Sequence, residues 1–170
     1  MFTYDGWLRS GDIGQVMFEG NRMKIIDRKK NLFKLSQGDY IAPEKLENLY
    51  RTSHVLINDV FVYGNSLKSS IISVVNIIQA NLVSLCQEIG YQGDMDDLKD
   101  NRSIKGVILD LLHDKAKQQK LSNPEIPTKV HIETTPFTDL GLLTTTFKKR
   151  RRAFEVYYHE IIEKMYENMI

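Results

Sequence analysis

Apolar and polar side chains alternate through residues 15–27, with Val16, Phe18, Met23 and Ile25 as the apolar members around Glu19-Gly20-Asn21. Successive strand side chains point to opposite faces, so a period of two about a Gly-Asn turn predicts a β-hairpin. Residues 28–41 follow as a basic, polar link with a loop at Ser36-Gln37-Gly38-Asp39. Pro43 then suits a first helical turn, where its missing N–H is not needed, and Glu44, Leu46, Glu47, Leu49 and Tyr50 continue a short helix. Two β-rich runs, Val55 to Tyr63 and Ser70 to Ile77, flank Gly64-Asn65-Ser66 and predict an antiparallel pair.

Beyond Ile77 the period becomes helical. Ile78, Leu82, Leu85, Cys86 and Ile89 share one face, and Ile104, Val107, Ile108, Leu111 and Leu112 share another, with Ser103 as the start of the second helix. Between them, residues 90–102 carry Gly90, Gly93 and a cluster of aspartates, which predicts an exposed connection. Pro124 and Pro127 punctuate a loop before a short strand from Val130 to Glu133. Phe154, Tyr157, Tyr158, Ile161, Ile162 and Met165 predict a single terminal helix. The mixture predicts an α+β fold: a small mixed sheet with packed helices behind an N-terminal β-hairpin arm.

Composition narrows the class. A chain of 170 residues suits one domain, or one domain with a short arm. Its 42% hydrophobic and 26% charged residues are those of an ordinary soluble protein. A net charge of +1 removes any global electrostatic drive toward nucleic acid or anionic lipid. The single Cys86 cannot form an internal disulfide, which fits a reducing compartment. No apolar run approaches the roughly 20 residues of a membrane span, and Asp5, Arg9 and Asp12 interrupt any hydrophobic leader. His54, His113, His131 and His159 lack metal-ligand spacing, so no metal site is expected in the chain.

Four stretches carry candidate chemistry. Asp12 follows Ser10-Gly11 on a turn entering the hairpin; its two oxygens suit a pair of vicinal hydroxyls, and equally suit bonding of the turn's own backbone. Arg28 offers a planar guanidinium for phosphate or ribose oxygens, within a run that also reads as a solvated link. Gly38 permits close backbone approach to a ligand or simply makes a turn, and Lys34 beside it suits a phosphate. Lys148 to Arg152 is five consecutive basic residues. Alone, that run reads as a patch for phosphate or a localisation signal, but no aromatic-interleaved basic surface or nucleic-acid motif accompanies it.

The string Asp5-Gly6-Trp7-Leu8-Arg9-Ser10-Gly11-Asp12-Ile13-Gly14, followed by Ile25-Ile26-Asp27-Arg28-Lys29-Lys30-Asn31-Leu32-Phe33-Lys34, resembles the signature of the adenylate-forming (acyl-activating) enzymes. Its Asp-Arg-Lys-Lys-Asn form is similar to the long-chain fatty acyl-CoA synthetase branch. The resemblance implies a carboxy-terminal piece of a ligase: residues 1–29 ending the large adenylation domain, and residues 30–170 forming the mobile carboxy-terminal domain. It implies the reaction of ATP, fatty acid and CoA to acyl-CoA, AMP and diphosphate through an acyl-adenylate. Asp12 would bind the ribose of ATP and AMP, Arg28 would contact the nucleotide, and Lys30 would be the hinge between two poses. Gly38, in the segment Phe33 to Ile41, would line the pantetheine channel of CoA, and Lys34 would serve nucleotide or CoA phosphate.

Leu143-Thr144-Thr145-Thr146-Phe147-Lys148-Lys149-Arg150 is similar to the family's late motif and aligns Lys148 with its catalytic lysine, Lys149 being the off-by-one alternative. The chain departs from the family pattern at Ser10, where threonine is usual, and at Thr145, where proline is usual. Mg2+ would be bound mainly by the missing N-terminal adenylation domain, and the isolated chain would be inactive. The resemblance also implies a cytoplasmic protein, with any attachment to the endoplasmic reticulum surface made by regions outside this chain. A non-enzymatic module binding a phosphate ligand or partner through residues 148–152 is the alternative.

Overall fold

The computed structural model describes residues 2–18, 20, 22–88 and 101–167. The chain enters as a hairpin of β1 (Asp12–Met17) and β2 (Arg22–Arg28), followed by the short strands β3 (Phe33–Lys34) and β4 (Tyr40–Ile41) and helix α1 (Pro43–Arg51). Strands β5 (Ile57–Tyr63) and β6 (Ile71–Ile77) come next, then helices α2 (Gln79–Glu88) and α3 (Arg102–Gln118). A 3-10 turn at Asn123–Glu125 leads into β7 (Pro127–Glu133), and α4 (Arg151–Tyr157) and α5 (His159–Glu167) follow.

β6 is buried along its whole length, which is why its sequence is a nearly unbroken apolar run. It lies between β5, antiparallel to it, and β7, parallel to it. This is the small mixed sheet of an α+β protein. Alternation divides the sheet's side chains between two cores. Val60, Val62, Ile71, Val75 and Ile77 pack with Leu46 and Tyr50 of α1, Leu82 of α2, and Ile104, Ile108 and Leu112 of α3. Phe61, Ile72 and Val74 pack on the other face with Phe137, Leu142, Phe154, Tyr158 and Ile162. Phe154 stacks on Phe61 with ring centroids 4.4 Å apart and meets Phe137 edge-on at 4.8 Å. Each such fully buried apolar side chain contributes about 1.5–3 kcal/mol.

Several elements differ from the reading by periodicity. The terminal apolar stripe is split between α4 and α5, meeting at Tyr158, whose hydroxyl donates to the buried Glu133 carboxylate at 3.1 Å. The buried members are Phe154, Tyr158, Ile162 and Tyr166, four residues apart, so Tyr157 falls outside the stripe and is exposed. The cap of α3 is Asn101 rather than Ser103, its Oδ1 accepting the N–H of Ser103 at 2.9 Å and of Ile104 at 3.2 Å. β7 begins at Pro127, a first-strand position where a missing donor is tolerated. Ile78 precedes α2 and is exposed, Leu82 and Cys86 of the predicted face are buried, and the Leu85 side chain lies outside the described residues. Ile89 and most of the aspartate-rich connection, like Glu19 and Asn21 of the first turn, lie outside the described residues.

The arm is attached by polar rather than apolar contacts. Val16, Met23 and Ile25 share a strand face with Asp12 and Arg28, and all three apolar side chains are exposed. The buried residue at this end is an acid. Helix α1 has Ala42 as its N-cap, which offers no side-chain acceptor, and Asp27 supplies one from β2: Glu44 N–H donates to its Oδ2 at 2.9 Å. The other oxygen accepts Arg28 N–H at 2.6 Å and the Asn31 amide at 3.2 Å, and Asn31 also donates to the Glu44 carboxylate at 2.6 Å. A carboxylate at a helix N-terminus satisfies an orphan donor and meets the positive end of the dipole. Asp27→Ala should therefore lower stability by about 1–2 kcal/mol, the scale of a lost cap, read as a shift of the urea midpoint without a change of slope.

Candidate functional site

A cleft of about 1280 Å3 opens between the arm and residues 140–157. Asp12 and Arg28 of the arm and Lys30 just after it line the cleft, and the carboxy-terminal segment contributes Phe147, Lys148 and the basic residues that follow, Lys149 among them. Asp12 and Arg28 face each other across the β1–β2 ladder, with Arg28 Nε 3.8 Å from Asp12 Oδ1. Ser10 Oγ accepts the Asp12 N–H at 3.2 Å. The serine thus serves the turn, and the aspartate carboxylate faces the arginine instead of its own backbone. Lys30 sits in the turn after β2, between two backbone donors: Lys29 N–H bonds Gly11 at 2.8 Å and Asn31 N–H bonds Arg28 at 2.9 Å.

Lys34 and Gly38 belong to the β3–β4 hairpin and are not part of this lining. Gly38 has φ +101°, a conformation that side-chain-bearing residues rarely adopt, and its N–H bonds Leu35 at 3.0 Å. Turn geometry alone accounts for glycine there. A Cβ would meet only the Lys34 side chain, at 3.8 Å, so the space over Gly38 is open.

Lys148 lies on a tight turn. Leu143 bridges to Lys149, Thr144 N–H donates to Lys148 O at 2.8 Å, and Lys148 N–H donates to Thr144 Oγ1 at 3.1 Å. Phe147 holds φ +57°, a left-handed conformation costing on the order of 1 kcal/mol in a residue with a side chain. The Lys148 amine is exposed and has no ion pair among the described residues.

The five basic residues beyond Phe147 do not act as one patch. Extended chain alternates its side chains, and here Lys149 and Arg151 are turned inward while Lys148, Arg150 and Arg152 are exposed. Lys149 Nζ is 2.7 Å from Asp59 Oδ1 and 3.8 Å from Glu47 Oε2, and Arg151 Nη2 is 2.9 Å from Glu47 Oε2. Glu47 is 3% exposed. Its Oε1 accepts Val62 N–H at 2.9 Å, and Asp59 Oδ1 accepts Val60 N–H at 2.8 Å. Since β5 is an edge strand, these carboxylates occupy donors that the sheet leaves open. Burial pushes the Glu47 carboxyl from 4.5 up to about 7, against the opposing pull of Arg151, Lys149 and the Val62 N–H.

Sequence reasoning did not single out Asp27, Glu47 or Asp59. One signal was there: Pro43, Leu46, Glu47 and Tyr50 share the buried face of α1, so an acid occupies a core position.

No family model matches the chain. Long chain acyl-CoA synthetase 4 of Arabidopsis thaliana is 43% identical to it over 166 residues, 97% of this chain and 25% of the relative. Long-chain-fatty-acid--CoA ligase 5 of Rattus norvegicus is 41% identical over 97% of the chain and 24% of its own length. Close homologues of the chain, matching it over nearly its whole length, are thus long-chain acyl-CoA synthetases. The chain spans about a quarter of the length of those synthetases and corresponds to a carboxy-terminal portion. The A domain of a carboxylic acid reductase from Segniliparus rugosus, solved with AMP and a co-purified carboxylic acid, superposes over 99% of this chain and 25% of its own, with TM-score 0.81 and 30% identity.

A group that holds its proton more tightly when folded makes stability fall as pH rises between its unfolded and folded pKa values. For Glu47 that window runs from 4.5 to about 7. Relative to Glu47→Gln, the wild-type protein should lose stability across this window with a slope of at most about 1.4 kcal/mol per pH unit, and the difference should level off above it. Urea melts of both proteins at several pH values measure the slope.

Proposed function

We propose that this chain is the carboxy-terminal part of a long-chain fatty acid–CoA ligase, with residues 1–29 ending the large adenylation domain and residues 30–170 forming the mobile domain. In the first half-reaction a fatty acid carboxylate oxygen attacks the α-phosphorus of ATP. The acyl–phosphate anhydride bond forms, the bond to the β-phosphate breaks, and diphosphate leaves. Lys148 is the cation set against the charge that builds on the carboxylate and α-phosphate oxygens, an electrostatic role of the kind that dominates phosphoryl transfer. Asp12 accepts hydrogen bonds from the ribose hydroxyls, and Arg28 serves the nucleotide beside it. In the second half-reaction the CoA sulfur attacks the acyl carbon, the carbon–oxygen bond to AMP breaks, and the thiol proton is lost to solvent. Lys34 and the open backbone at Gly38 serve the CoA side of that step.

The observation that carries the reading is a shared cleft: an exposed lysine with no ion pair among the described residues faces the same space as the Asp12–Arg28 pair. The arm supports it too. Val16, Met23 and Ile25 present an exposed apolar face on a two-stranded hairpin, a unit that is marginal by itself and suited to burial against a larger body. Lys30 is the pivot between poses, and its turn carries no packed apolar side chain. In the present pose Asp27 fastens the arm to α1, so a swing about Lys30 would part Asp27 from Glu44 N–H.

Mg2+ would travel with the nucleotide phosphates and be held by the large domain. Among the described residues no group of three or more His, Cys, Asp or Glu is arranged to hold a metal. No helix among them is long and apolar enough to cross a membrane; the reading keeps this part of the enzyme in the cytoplasm, with any contact to the endoplasmic reticulum made elsewhere. The competing phosphate-binding module loses support because two of its five cations are already engaged by Glu47 and Asp59.

The isolated chain should be inactive. Joined to the large domain of a relative such as Arabidopsis long chain acyl-CoA synthetase 4, it should restore acyl-CoA formation. Lys148→Ala in that chimaera should lower ATP–diphosphate exchange by about 100- to 1000-fold, as loss of one preorganised donor does, and should spare CoA transfer to preformed acyl-adenylate. Exchange unaffected by Lys148→Ala would overturn the reading.

A further inference from the structure

We propose that Glu47 and Asp59 are positioning residues: by capturing Lys149 and Arg151 they lock the register of the segment after the 144–148 turn, so that of the two lysines lining the cleft Lys149 is held by carboxylates and Lys148 is left to meet the ligand. The proposal rests on the ligase reading and deepens it.

Two adjacent lysines on extended backbone project to opposite sides, and a slip of one residue exchanges them. Nothing in the chemistry of Lys148 and Lys149 separates the two. Their surroundings do. Lys149 is 16% exposed and held at 2.7 Å by Asp59, while Arg151, two residues on and on the same side, is held at 2.9 Å by Glu47. Each carboxylate is in turn seated on the free edge of β5, through Val62 N–H and Val60 N–H. A continuous series of bonds thus runs from the sheet through the two acids to the inward cations. The turn carries it the last step. With Lys149 anchored and bridged to Leu143, the hydrogen bonds of Thr144 to both backbone groups of Lys148 set where that residue sits. The polar lock also adds directionality that apolar packing lacks, because a lysine amine and a carboxylate must meet atom to atom.

The test uses the chimaera described above. Asp59→Asn and Lys149→Met should each lower kcat for ATP–diphosphate exchange by about tenfold or more, the scale expected for misplacing a reacting group by a fraction of an ångström to an ångström. KM for ATP should stay within about twofold, because ground-state binding is not what the lock supplies. CoA transfer to preformed acyl-adenylate should be unchanged in both variants. Lys149→Arg, which keeps a cation for Asp59, should retain most of the exchange activity. A purely structural role would depress both half-reactions together and lower the melting temperature in proportion; that result overturns the proposal. So does normal exchange in Lys149→Met when Lys148→Ala is inactive, and this outcome leaves the ligase reading standing. Loss of the Lys148→Ala effect would instead remove the ligase reading itself. If Asp59→Asn fails to fold, the Lys149→Met and Lys149→Arg pair decides alone.

Discussion

A single buried carboxylate, that of Glu47, ties together three elements of the molecule, two near the middle of the first half of the chain and one close to its end. It stands on α1, accepts a hydrogen bond from the edge strand β5 and pairs with the first residue of α4. Burying an acid is costly, and its raised pKa records that cost. Two cations and an edge-strand donor offset it. An apolar residue there would stabilise the packing at least as well, but it would leave the Val62 N–H without its partner and the following basic segment without an address. What the charge adds is a definite position for residues 149–151, and with them the turn that carries Lys148.

The second polar attachment, at Asp27, works in the opposite direction. Glu47 and Asp59 join elements that all lie within residues 30–170, whereas Asp27 joins the arm to that body. Its bonds are few and local to one helix end, and Val16, Met23 and Ile25 of the arm are exposed. A connection made of one carboxylate, one amide and a turn can be broken without exposing a core. Two cores pack on either side of β6, and neither includes a residue of the arm.

Much of this was legible in the residues, and the exceptions are instructive. Hairpin, antiparallel pair, amphipathic helices and α+β class follow from period-two and period-3.6 patterns, which are properties of neighbouring side chains. The late motif also brought attention to Lys148 and Lys149, but without a way to choose between them. The five-residue basic run looked like one surface because composition does not record which way each side chain faces. The terminal stripe looked like one helix because the apolar spacing from Phe154 through Tyr158 to Ile162 continues through the break at Tyr158.

The amino-acid sequence by itself determined the elements, the family signature and the candidate residues, since each is encoded over a few consecutive positions. The tertiary structure alone decided which charges neutralise which. Glu47 meets Arg151 across a separation of 104 residues, and Asp59 meets Lys149 across 90. Such pairings depend on how the sheet and helices stack, not on any local pattern. The reason is the range of the interactions: hydrophobic periodicity is read within a turn or a strand, whereas an ion pair acts between whatever atoms the finished packing brings within about 4 Å.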